Sequence, residues 1–146
     1  MKFLDTNAFL RYMVEPQTEN DRLFRTLVAA IFERAERGED QFITTDAVIA
    51  EVAFVLTSPR HYGISRHHAL IRVVPLLRLP GCAVAHREEL ESAFIRWEEN
   101  PRISFVDALA IAITKKHGFD LVTFDTAMAN DAETLRWDLR SSESES

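Results

Sequence analysis

Met1-Lys-Phe-Leu-Asp5-Thr-Asn7 opens the chain with a short apolar segment that closes on an acid and runs straight into a helix-forming stretch. Lys2 to Leu4 is too short for a helix and reads as a buried strand. Thr6 to about Val14 reads as a helix stopped by Glu15-Pro16, because the residue before a proline is pushed out of the helical region. The same strand-then-helix unit returns along the chain. Gln41 to Thr44 is followed by a helix that starts at Thr45-Asp46, both good caps, and ends at Ser58-Pro59. Cys82 to Ala85 precedes a helix over Glu88 to Glu99, with Leu90, Phe94 and Trp97 on one side. Asp120 to Thr123 reads as a fourth strand, with a short helix after Asp125. Three further helices fill the intervals. Glu19 to Arg37 has Leu23, Leu27, Ala30 and Ile31 as its apolar stripe. Ser65 to about Leu79 carries Pro75. Ser104 to about His117 stops at Gly118. Short, apolar, non-alternating strands separated by helices indicate an α/β fold, a parallel sheet with helices on both faces. Ligands in such folds bind beyond the carboxyl ends of the strands, where Asp5 and Asp125 fall.

With 146 residues and 47% hydrophobic content, the chain suits one domain over residues 1–140, followed by an acidic, serine-rich tail at 141–146 that reads as disordered. The net charge of −6 argues against a surface coated with basic patches. Cys82 is the only cysteine, which excludes an intramolecular disulfide and a Cys-rich zinc site and fits a reducing, cytoplasmic setting. No apolar run approaches the roughly 20 residues of a membrane span, and the N-terminus does not read as a signal peptide.

Glu51, Asp107 and Asp125 each stand within or at the end of an apolar run that contains no Lys or Arg, and Asp5 closes the short apolar start, whose one cation is Lys2. An ionised carboxylate in apolar surroundings is costly unless paired or metal-bound. Each also has a local reading. Asp5 can cap the helix after it, Ser104-Phe-Val-Asp107 matches a capping box, and Asp125 can form an Asx turn. Glu51 has the weakest local reading, because its helix has hardly a polar face. Two acids at strand ends and two in buried helices make a single carboxylate pocket the common expectation. Oxygen-only ligands select hard cations, Mg²⁺ or Mn²⁺.

Phe3-Leu-Asp5-Thr-Asn7, Val48-Ile-Ala-Glu51-Val, Phe105-Val-Asp107-Ala-Leu-Ala and Val122-Thr-Phe-Asp125 resemble the motifs of PIN-domain ribonucleases, and more narrowly those of the VapC-type toxins of toxin–antitoxin systems. The resemblance covers about Met1 to Asp125. It implies a three-layer α/β/α sandwich with a short twisted parallel sheet, and metal-dependent endoribonuclease activity with Mg²⁺ or Mn²⁺ as cofactor. It implies that Asp5, Glu51, Asp107 and Asp125 form the acidic site, with Asp5, Asp107 and Asp125 as direct metal ligands and Glu51 often acting through water. Asn7 and Thr123 match supporting polar residues. RNA as substrate, a cognate VapB-like antitoxin and a homodimer are the implied partners. The sequence departs from the pattern after Asp125, where no positive charge occurs before Arg136.

Phosphate binding needs cations near the acids. Arg11 and Arg102 are the preferred candidates, with Arg60-His61 and Lys115-Lys116 behind them. His67-His68 reads as a surface pair, and Trp97 and Trp137 as core residues. Two other functions compete. One is a phosphatase or phosphotransferase with an aspartyl nucleophile, which usually carries another acid two residues after the first; here that position is Asn7. The other is a non-catalytic PIN-like binding domain.

Overall fold

The computed structural model describes residues 1–137, so the tail at 141–146 lies outside the described residues. Among the described residues there are three strands and seven helices, and the fold is α/β. The chain divides into two compact units, Met1–Arg87 and a second that begins at Glu88.

The first unit holds the sheet. β1 (Lys2–Phe3), β2 (Phe42–Thr44) and β3 (Cys82–Val84) lie in the order β1-β2-β3, all parallel, with Phe3 opposite Ile43 and Ile43 opposite Ala83. Parallel neighbours need long crossovers, and here each crossover is a helix pair: α1 (Thr6–Met13) with α2 (Glu19–Glu36), then α3 (Asp46–Thr57) with α4 (Arg66–Leu77), which contains Pro75. Phe42 and Thr44 are buried and Ile43 between them is exposed, as strand alternation dictates. Phe42 meets Phe32 at a ring-centroid distance of 5.3 Å and Phe9 at 6.3 Å, and these aromatics form the core beneath the sheet. Gly81 enters β3 where a Cβ would lie 2.3 Å from the Asp40 carbonyl oxygen and 2.8 Å from Ala35 Cα, so the close approach of these segments admits no side chain.

The expected stripe of α2 is displaced. Leu23 and Leu27 are exposed, and the buried line is Val28, Phe32 and Ala35. Both lines have helical spacing. The large aromatic Phe32 fits against Phe9 and Phe42 and decides which one faces inward.

The second unit is helical. α5 (Arg87–Glu99) and α6 (Phe105–His117) pack through Phe94, Trp97 and Phe105, with Phe94 and Phe105 centroids 4.6 Å apart. Trp97 is thus a core residue. Gly118 takes a left-handed φ of 68° and ends α6, a conformation costly for residues with a Cβ. α7 (Thr126–Asp131) is bolted to α5: Arg96 Nη1 donates to Asp131 Oδ1 at 2.7 Å and Asn100 Nδ2 to Asp131 Oδ2 at 3.0 Å. The expected fourth strand at Asp120 to Thr123 does not form. A strand exists only through a ladder, and the Thr123 carbonyl is taken instead by the Trp137 backbone N–H at 2.8 Å.

Candidate functional site

The four acids are not buried. Asp5, Glu51 and Asp125 are exposed and Asp107 is half-buried. This corrects the expectation of acids sunk in apolar helices. Successive helical residues point about 100° apart, so an acid inside an apolar run can still lie on the solvent side. Ile49, Val52 and Ala53 point into the core, while Ala47, Glu51 and Phe54 share the outer face of α3.

Three of the acids hold helix starts. Asp5 is the N-cap of α1, and its Oδ1 accepts the Ala8 N–H at 3.0 Å. Asp125 is the N-cap of α7, and its Oδ1 accepts the Met128 N–H at 2.7 Å. Asp107 sits at the third position of α6 in a complete capping box: its Oδ2 accepts the Ser104 N–H at 3.2 Å, and Ser104 Oγ accepts the Asp107 N–H at 3.1 Å. The positive end of each helix stabilises negative charge there. Glu51 stands mid-helix, where its Oε2 accepts the Thr6 hydroxyl at 2.7 Å. Thr6 directly follows Asp5, so this bond brings Glu51 to the start of α1 and to the carboxyl end of β1.

Each of the four carboxylates therefore spends one oxygen on a hydrogen bond within the protein. Its other oxygen has no hydrogen-bond partner, and none of the four joins a salt bridge, among the described residues. Hard oxygen donors with one free lone-pair oxygen apiece suit Mg²⁺ or Mn²⁺. Mg²⁺ in particular is usually held by only one or two carboxylates together with water and substrate phosphates. Among the described residues, no three His, Cys, Asp or Glu side chains gather into a metal-holding group.

The supporting residues also find places. Thr123 is buried, and its Oγ1 accepts the Asp125 backbone N–H at 3.1 Å, which orients that residue. Asn7 is exposed on the first turn of α1 and lines a hollow of about 370 Å³ with Asp5, Arg11 and Phe24. Arg11 is ion-paired with Asp21 and lies over the Phe24 ring, 5.4 Å from its centroid. Arg102 is exposed in the turn before α6, where its backbone N–H donates to Asn100 Oδ1 at 3.0 Å. His67 and His68 are exposed, and His68 Nδ1 shares a 2.7 Å bond with Ser65 Oγ. Lys116 is held by Glu88 and the buried Glu89, both at 2.6 Å, and this pairing raises its pKa.

A family model for the PIN domain matches residues 2–133. The chain belongs to the PIN-domain family. The match runs through both units and takes in all four acids. PIN domains are typically metal-dependent nucleases, and the oxygen-only donors of this PIN domain fit that chemistry. No curated protein matches the chain.

Proposed function

We propose that this PIN domain is an endoribonuclease that hydrolyses RNA phosphodiester bonds with Mg²⁺ or Mn²⁺, and that it is the toxin of a toxin–antitoxin pair. The observation that carries the reading is the division of labour within each carboxylate. One oxygen is fixed by a cap or a hydroxyl, and the other is left open to a cation or a water. Asp5 and Glu51, linked through Thr6, would hold a divalent ion, and Asp107 and Asp125 are proposed as the other two catalytic acids. When bound, such an ion lowers the pKa of its water and stabilises charge on the phosphate under attack. The chain's own part is to orient the acids, through the helix starts and the Thr6 hydroxyl, while among the described residues no ion pair occupies them. Thr123 steadies Asp125 through its backbone, and Asn7 lies beside Asp5. In this reading the protein works in the cytoplasm as a homodimer and is silenced by a VapB-like antitoxin. Among the described residues no helix is long and apolar enough to cross a membrane.

The test is incubation of total RNA with the full-length chain and Mg²⁺ or Mn²⁺, with and without EDTA. Cleavage that EDTA stops and added metal restores is the expected result. Cleavage indifferent to EDTA sinks the reading, as does hydrolysis of small phosphate esters through a trapped aspartyl-phosphate.

A further inference from the structure

Three hollows follow one another along α1. The first is the one beside Asp5. Arg11 is shared between it and a second, of about 210 Å³, also lined by Glu15 and Tyr62. Glu15 and Tyr62 are shared in turn with a third, of about 570 Å³, to which Arg25 and Arg72 contribute. A run from Asp5 to Val14 covers about 13 Å of helix axis, the span of a few phosphates. Arg11, Arg25 and Arg72 therefore follow one another along a path that begins at a proposed catalytic acid and also carries Glu15 and Asp21.

The charges on that path are not all neutralised by one another. Asp21 accepts the backbone N–H groups of Gln17 and Thr18 as well as pairing with Arg11. Glu15 is the other acid facing the second and third hollows, against two arginines in the third. Arg25 makes no hydrogen bond or ion pair among the described residues. Arg72 spends one donor on the Met13 carbonyl at 3.0 Å, and a guanidinium has five. Tyr62 is 47% exposed, in the loop before α4, and presents an aromatic ring where the second and third hollows meet. Cations beside an exposed ring form the combination that holds single-stranded nucleic acid, phosphates on the arginines and a base stacked on the ring.

We propose that these hollows form one track for single-stranded RNA, running from Asp5 past Arg11 and Tyr62 to Arg25 and Arg72. The proposal rests on the ribonuclease reading for the identity of its ligand, but its test needs no cleavage. Binding of a short fluorescein-labelled oligouridine to full-length Asp5→Asn protein is followed by anisotropy over a range of salt concentrations. Arg25→Gln and Arg72→Gln should each weaken binding several-fold and lower the salt slope by about 0.7. Tyr62→Ala should weaken it about tenfold, with little change in slope. A self-complementary duplex should bind more weakly than the single strand, because its bases cannot reach the ring. Unchanged affinity and slope in Arg25→Gln and Tyr62→Ala, with melting temperatures like that of the parent, overturn the track, as does tighter binding of the duplex. If the track variants bind normally while the wild type cleaves RNA, the track fails and the nuclease stands. If they bind weakly while the wild type never cleaves, the reverse holds.

Discussion

In the unit Met1–Arg87, Glu51 is tied to the residue beside Asp5. Asp5 starts α1, and Thr6, the next residue, donates to Glu51 from a distance of 45 residues in sequence. In the unit that begins at Glu88, Asp107 and Asp125 each hold only the start of their own helix. There the tie runs between helices, through Asp131 to Arg96 and Asn100. The first unit orients Glu51 by linking it to the residue beside Asp5, and the second orients its acids by fixing the helix that carries them. A carboxylate can therefore be a structural cap and an available ligand at once, because it has two oxygens.

Breaking the second unit's tie should have the larger effect on stability. Asp131→Ala removes the acceptor of an Arg96 hydrogen bond and of an Asn100 one, both partly buried. Hydrogen bonds to charged groups contribute about 1.5–3 kcal/mol. Among the described residues Arg96 Nε is buried without a partner, and without the Asp131 carboxylate the guanidinium would keep only the Asp131 backbone carbonyl at 3.3 Å. A loss of about 2 kcal/mol in urea unfolding is expected. A change indistinguishable from zero would mean that α7 is held some other way.

Breaking the first unit's tie should act on activity instead. Thr6→Val keeps the shape of the side chain and removes the donor to Glu51. Stability should hardly change, because the bond is exposed to solvent. Cleavage should fall about tenfold, the equivalent of about 1.4 kcal/mol of orientation lost. Full activity in Thr6→Val would make the two units alike, each acid standing alone.

Much of the local structure is legible in the sequence because it is set by neighbouring residues. Thr45, Ser104 and Gly118 cap their helices where the caps are expected, and each strand that forms lies within a residue or two of its reading. What was not legible depends on partners distant in sequence. Leu121-Val-Thr-Phe124 has the composition of a strand, but composition cannot supply a neighbouring ladder, and Val122 and Phe124 are exposed. The stripe of α2 could run through Leu23 or through Val28, and only the aromatic core formed with Phe9 and Phe42 chooses. The four candidate acids are conspicuous in the sequence because of their apolar settings, but an apolar setting is not burial: it is the neighbours that are buried. The Thr6–Glu51 bond carries no sequence signal at all.

Substitution at Asp125 tests most directly whether one carboxylate does both jobs. Asparagine caps helices about as well as aspartate, whereas alanine costs about 1 kcal/mol, a fall of about 2–4 °C in melting temperature for a chain of this size. Thermal melting and Mn²⁺-dependent RNA cleavage are measured on Asp125→Asn and Asp125→Ala together. Asp125→Asn should melt with the wild type and lose cleavage by about a thousandfold, matching several kcal/mol of metal-borne stabilisation. Asp125→Ala should lose both. An Asp125→Asn protein that cleaves like the wild type would show that this acid is a cap and nothing more.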